Sequence, residues 1–288
     1  MRTFTSEASN LASNPWFVII ASVSSIAGFF WYIQDQIKQN PPILSVVYLT
    51  LSIILLLAGI FYSLKIRSEN ATLRKIAYTF NEINHIYKTA LKDMFGENEP
   101  TYNPEDLLEE EEKVLRSVCQ RIENIFIQVI GRECLVTVKL LLNEKDGKYY
   151  AHTYVRSQEM CTRDNDGRKK YEVGTSANTA FDTALQKRSH GYPPHYFSPD
   201  LLKEKEYSNE RQHYNRHYRS TIVVPIMGNN KGHEGTEREF DRIGFLCIDT
   251  PSTYRLNDGY HLQMISSLAD QMYNFMSLMR GKYTLRVG

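Results

Sequence analysis

The sequence predicts an α+β protein: an N-terminal transmembrane helical hairpin, a helical stalk, and an antiparallel sheet with flanking helices. Three observations predict it. No charged side chain occurs over residues 17–33 or 43–64. Apolar residues keep heptad spacing from Leu73 to Met94. From Cys134 onward, short apolar runs rich in β-branched residues alternate with turn sequences, ahead of one last amphipathic stretch.

The hairpin comes first. A bilayer core takes about 20 predominantly apolar helical residues, and both charge-free segments are expected to meet that. Trp16 and Trp31 bracket the first, as interfacial rings do. A cleaved leader fits less well. Arg2 is offset by Glu7, and Trp31-Tyr32-Ile33-Gln34 offers no small-residue cleavage pattern. The connecting loop holds Lys38 beside Asp35, whereas Lys65, Arg67, Arg74 and Lys75 follow the second segment. The positive-inside rule then places both termini in the cytoplasm, in a multi-pass inner-membrane topology with the lipid bilayer as a partner. Ser24 and Gly28 fit a small-residue helix contact. The expected divisions are 1–14 (cytoplasmic segment), 15–64 (spans), 65–103 (stalk and linker) and 104–288 (sensor domain).

In the stalk, Leu73, Ile76, Phe80, Ile83, Tyr87, Ala90 and Met94 alternate spacings of three and four. Such a seam serves either a helix lying against its own domain or a parallel coiled coil. The coiled coil is the expectation, and it implies a homodimer or higher homo-oligomer. Gly96, Pro100 and Pro104 end the pattern as a hinge or linker. The acidic run Glu105-Asp106 and Glu109 to Glu112 suits a first helical turn. Leu115, Val118, Cys119, Ile122, Ile125, Phe126 and Val129 then form a face wide enough to meet a sheet as well as a helix.

Residues 134–142 and 149–156 read as a strand hairpin about the turn Lys145-Asp146-Gly147-Lys148. Residues 175–187 read as a short helix. Residues 190–199 are turn-rich, and 221–227 and 243–249 are strands on either side of a polar loop. Asn257 or Asp258 can cap a last helix carrying Leu262, Ile265, Leu268, Met272, Phe275 and Met279 on its inner face. The net charge of +1 supplies no global argument for nucleic-acid binding. Cys119, Cys134, Cys161 and Cys247 show no CxxC spacing and read as free thiols.

Two stretches carry a family resemblance. Tyr218-Arg219-Ser220-Thr221-Ile222-Val223-Val224-Pro225-Ile226 is followed, after a loop, by Ile243-Gly244-Phe245-Leu246-Cys247-Ile248-Asp249 and a helix containing Leu268-Ala269-Asp270-Gln271-Met272. This resembles the strand pair and helix of GAF domains, a fold close to PAS domains, and covers about residues 104–280. The resemblance implies a central antiparallel sheet with helices on one face and a small ligand on the other, under loops and short helices. It also implies dimerisation through the first and last helices, and sensing more often than catalysis. Cyclic-nucleotide-binding members of the phosphodiesterase type carry an N-K … F … D-E pattern after the second strand. Here the stretch reads Asp249-Thr250-Pro251, then Tyr254 and Asp258-Gly259. Only Asp258 matches, which argues against that type of site and leaves other nucleotides open.

Residues 203–219 concentrate Arg211, His213, Tyr214, Arg216, His217, Tyr218 and Arg219 before the first of these strands. Guanidinium forks suit phosphate or carboxylate, and the rings can stack on a base. With Glu204, Glu206 and Glu210 interspersed, a solvated mixed-charge helix is the other reading. Arg219 leads the candidate ligand-binding residues, with Tyr218 and Arg216 beside it; His195, Tyr171, Thr175, Asn178 and Arg156 complete the set. Thr175, Ser176, Asn178 and Thr179 mark a helix start that could hold an anion or simply cap the helix. His213 and His217 stand four apart, but without a Cys pair or HExxH no metal site is expected. Cys161 in a loop lacks the nearby resolving thiol that redox catalysis needs. No triad, Walker loop or kinase motif is visible, so no catalytic residue is named, no enzyme is expected and no cofactor is implied.

The function expected from these readings is a membrane-anchored cytoplasmic sensor. It would bind a small ligand, with nucleotides among the candidates, and signal through a dimeric stalk to the membrane or to a separate output protein. The alternative is a ligand-gated two-span effector that permeabilises the inner membrane in bacterial anti-phage defence, an analogy of architecture alone.

Overall fold

The computed structural model of the chain describes residues 42–95, 103–158, 170–186, 194–211, 213–228 and 242–287, with isolated positions between 28 and 38. In chain order the elements are α1 (Pro42–Phe95), α2 (Pro104–Ile130), β1 (Leu135–Asn143), β2 (Tyr149–Arg156), β3 (Lys170–Val173), α3 (Thr179–Leu185), β4 (Tyr196–Ser198), β5 (Ser220–Met227), β6 (Arg242–Thr250) and α4 (Tyr260–Val287). Single 3₁₀ turns lie at Leu201–Lys203 and Tyr214–Arg216. Two compact units divide the chain, Met1–Ala71 and Thr72–Gly288.

In the first unit the described helix is the N-terminal part of α1, with Val46, Leu57 and Phe61 exposed. Among the described residues no helix is long and apolar enough to cross a membrane. This corrects the expected transmembrane hairpin. Ser45, Thr50, Ser52 and Ser63 all fall within the second segment, and Thr50 Oγ1 donates back to the Val46 carbonyl at 2.8 Å. Most of the first segment lies outside the described residues. The lipid bilayer as partner, the inner-membrane location, and both functions framed at a membrane lose their basis with the hairpin.

The second unit begins within α1 and shows where the heptad seam goes. Ile83, Tyr87 and Met94 are buried in the same apolar core as α2 and α4, with Ile76, Phe80 and Ala90 packed against it. The Tyr87 ring stacks on Phe275 at 4.8 Å, and Glu82 pairs with Arg121 at 3.7 Å. From Ile76 to Met94 the seam expected to join two protomers therefore meets this chain's own helices, while Leu73 is exposed. That corrects the coiled-coil dimer, because an apolar stripe satisfied within one chain has no remaining reason to recruit a second.

Helix α2 starts where its sequence dictates. Asn103 accepts from the Asp106 amide at 2.9 Å while the Asp106 carboxylate accepts from the Asn103 amide at 3.4 Å, a capping box ahead of Pro104. It ends at Gly131 in the left-handed region, φ 67°, with the Gly131 amide donating to the Ile127 carbonyl.

Among the described residues the strands form one antiparallel sheet in the order β3-β2-β1-β6-β5-β4. Helices α2 and α4 pack on one face, where Phe126, Ile222, Leu246, Ile248 and Phe275 are fully or almost fully buried. The α+β architecture with flanking helices thus stands as expected. The other face carries a second, smaller cluster: Ala151, Tyr171, Phe181, Tyr218, Val223, Phe245 and Cys247.

One irregularity decides which side chains reach that second face. In the β1–β2 ladder Val138 pairs with Val155, but Lys139 pairs with Thr153, so Tyr154 is an extra residue on β2. Strict alternation would put Ala151 and Val155 on the same face. They lie in opposite clusters. The bulge turns the end of β2 over and brings Arg156 opposite Thr137 on the second face.

Candidate functional site

A cavity of ≈ 30 Å³ opens on this second face. Its floor is built from alternate residues of three central strands: Thr137 and Lys139 of β1, Cys247 and Asp249 of β6, and Thr221 and Val223 of β5, with Arg156 at the end of β2. Its cover comes from Tyr171 of β3, from Asn178, Ala180 and Phe181 at the start of α3, from the segment Tyr207-Ser208-Asn209, and from Tyr218. A space of this size holds one or two waters. It lies within ≈ 500 Å³ of atom-free space that includes the open mouth.

Charge is concentrated on the floor. Lys139, Arg156 and Asp249 are all more than nine-tenths buried. The Lys139 ammonium donates to Thr153 Oγ1 at 2.7 Å and lies 4.2 Å from the Tyr171 ring centroid. Asp249 accepts from Thr221 Oγ1 at 2.7 Å. Residues of this kind are rarely buried without partners, since desolvating a charge is costly.

The cover is held by a zipper of polar contacts. Asn178 Nδ2 donates to the Glu172 carbonyl at 2.8 Å, and its Oδ1 accepts from the Glu210 amide at 3.2 Å. Thr179 and Ser208 exchange bonds, the Thr179 amide to the Ser208 carbonyl and the Ser208 amide to Thr179 Oγ1. Asn209 Nδ2 donates to the hydroxyls of both Tyr207 and Tyr218, at 2.9 and 2.8 Å. Burial pushes the Tyr207 hydroxyl well above the usual phenol range, so it stays protonated. The rings of Tyr196, Tyr207, Tyr214 and Tyr218 follow one another at 5.1–5.9 Å between centroids.

Of the sequence-derived candidates, Arg156, Tyr171, Asn178 and Tyr218 line the cavity. Arg219 does not. It donates through Nε and Nη2 to Asp200 Oδ1, at 3.3 and 3.0 Å. Arg216 is exposed on the Tyr214–Arg216 turn, Thr175 is exposed in the bend before α3, and His195 is buried just before β4. His213 and His217 flank that turn, His213 at φ 58°, and so share no helical face. Among the described residues no group of three or more His, Cys, Asp or Glu could hold a metal. Cys119 and Cys134 are buried free thiols, and burial pushes Cys134 up to about 12. Cys161 lies outside the described residues.

Lys139, Thr137, Phe181, Tyr207, Asn209, Thr221 and Asp249 were not singled out from the sequence as ligand contacts. A signal for the first two was present. Val136-Thr137-Val138-Lys139 puts polar residues at alternate positions of an apolar strand, which marks one face as a polar site.

No family model matches the chain, and no curated protein matches it. Among solved structures it is similar to a GAF domain (TM-score 0.41, 13% identity, covering 60% of this chain and 89% of that one). It is also similar to the GAF domain from Acinetobacter phosphoenolpyruvate-protein phosphotransferase (0.38, 11%, 63% and 98%). A third is the GAF domain from a phosphoenolpyruvate-protein phosphotransferase of Coxiella burnetii (0.38, 10%, 62% and 96%). Identities and scores this low do not place the chain in a family.

Proposed function

We propose that this chain is a small-molecule-binding module that senses its ligand in the cavity on the second face of the sheet. The observation that carries the reading is the convergence of Lys139, Arg156 and Asp249, all buried, on one cavity floor. The other face of the same strands is a continuous apolar core. Buried charged side chains beside an open cavity suit a polar ligand. Arg156, Tyr171, Asn178 and Tyr218 are the sequence-derived candidates that this reading keeps as ligand contacts.

Binding would be felt first by the cover. Residues 206–211 and the start of α3 are joined by the Asn178, Thr179 and Ser208 bonds, so a ligand that enters beneath them shifts them together. The reading is of a binder and not a catalyst, because the amides and hydroxyls around the cavity serve to hold that cover.

Native mass spectrometry of the full chain, followed by thermal unfolding against a metabolite panel, tests the reading. A retained small molecule, or a panel member that raises Tm by preferential binding to the folded state, is the expected result. A chain that retains nothing and is shifted by no member overturns it.

A further inference from the structure

We infer that Tyr154 is a positioning residue that joins the cavity floor to helix α2. Its hydroxyl, bonded to α2, steadies the bulge that turns Arg156 toward the cavity. The inference rests on the cavity being a ligand site and adds how its floor is tied to the helices on the opposite face.

The first argument is direction. Side chains two apart on a regular strand point to the same face. Tyr154 and Arg156 are two apart and do not. Tyr154 packs against the helix-side core, and Arg156 lines the cavity on the second face. The extra residue in the ladder separates them: Thr153 pairs with Lys139 and Val155 with Val138, and Tyr154 has no partner in β1.

The second argument is anchorage. The Tyr154 hydroxyl donates to the Leu108 carbonyl of α2 at 3.4 Å, a long contact for an O–H donor. The buried carboxyl of Glu111, one turn further along the same helix, shares a second hydrogen bond with it. Beyond the bulge, Gln158 Nε2 donates to Glu123 Oε1 of α2 at 2.6 Å. The Ser157 amide donates to the Val136 carbonyl at 3.0 Å, and Ser157 Oγ accepts from the Val136 amide at 3.2 Å. The end of β2 is thus pinned to α2 on both sides of Arg156.

The third argument is cost. Sliding the ladder by one residue to absorb the bulge would turn the buried Val155 out of the helix-side core and drive Arg156 into it. Both faces therefore oppose the slip, and loss of the Tyr154 hydroxyl loosens the bulge without moving it. A ligand that draws on Arg156 displaces the peptides beside it. With no ladder partner at Tyr154, that displacement is carried to Leu108 and Glu111.

Hydrogen exchange of the full chain, resolved to short peptides by mass spectrometry, tests this with Tyr154→Phe and Arg156→Gln, each shown to be folded by an unfolding transition. Tyr154→Phe is expected to speed exchange across residues 155–157 at least about tenfold, while 221–227 and 243–249 keep their natural rates. Arg156→Gln is expected to speed exchange across residues 107–113 of α2, on the opposite face of the sheet, at least about threefold. Because the two residues act through one bulge, the double variant should exchange no faster than the faster single variant at either segment. Effects that multiply in the double variant would mean independent contacts and overturn the inference. Acceleration spread evenly over the sheet overturns it too, as do natural α2 rates in Arg156→Gln. The native mass spectrum keeps the two failures apart. A retained molecule alongside unchanged α2 rates leaves the cavity as a ligand site and removes only the coupling; an empty chain that no panel member shifts removes both.

Discussion

A side chain at position 244 would collide with the carbonyl oxygen of Lys139, because β6 lies tight against the β1 backbone where Gly244 faces Leu140. The listener on the other side of that contact is backbone, which cannot swing away as a side chain can. Gly244→Ala is therefore expected to cost more than about 2 kcal/mol of stability, by overpacking against a rigid neighbour. Gly259→Ala is the control, since a Cβ there meets only Asn257 Oδ1 at an ordinary 3.7 Å. Thermal unfolding of both variants checks this. Equal midpoints for the two would mean that the strands part at no cost.

Thr221 and Asp249 face one another across β5 and β6 and share a buried hydrogen bond of 2.7 Å. Thr221→Val keeps the shape and removes the donor. It should lower stability by about 1–3 kcal/mol, since a buried carboxylate loses a partner. In the Asp249→Asn background the same change should cost less, because the acceptor is then neutral. A double-mutant cycle measured by urea unfolding reads the difference. A coupling energy near zero would show that the pair contributes nothing through this bond.

The cover depends on Asn178, which joins the end of β3 to the Glu210 amide. Asn178→Ala is expected to speed amide exchange across residues 206–211, with a global loss of only about 1 kcal/mol. Hydrogen exchange read by mass spectrometry localises the change. Exchange that stays slow across this segment would show that the Thr179 and Ser208 contacts suffice to hold it.

Much of the sheet was legible because period-two and period-3.6 patterns report burial directly. Residues 221–227 and 243–249 were read as strands and lie within β5 and β6, and the wide apolar face from Leu115 to Val129 falls within α2. The failures have physical causes. A heptad seam states that a stripe is apolar and not whose surface it meets, so Ile83 and Tyr87 packed at home. Tyr218 and Arg219 are adjacent, and adjacent residues at a strand entry face opposite ways. The cavity received the tyrosine, and Asp200 received the arginine. Arg156 reaches the cavity floor through a bulge at Tyr154 that no alternation pattern announces.

Glu111 supplies a pH-dependent test of the helix face. It is buried in α2, and burial pushes its carboxyl up to about 7 despite the lowering pull of Arg280 and a hydrogen bond with Tyr154; Glu112 lies near the same tyrosine. The folded state therefore binds a proton that the unfolded state releases between the ordinary 4.5 and about 7. Stability must fall as pH rises through that window, and above it the folded state carries the whole penalty of a buried charge. Glu111→Gln removes the charge and keeps an acceptor for Tyr154. Its stability should match that of the natural chain below the window and exceed it above by on the order of 2 kcal/mol. Urea midpoints of the two proteins at about pH 4 and about pH 8 measure the difference, and other titrating groups, such as His261 with its lowered pKa, cancel in the comparison. A variant less stable than the natural chain at the higher pH would mean that the Glu111 carboxylate is held by Arg280 strongly enough to outweigh its burial.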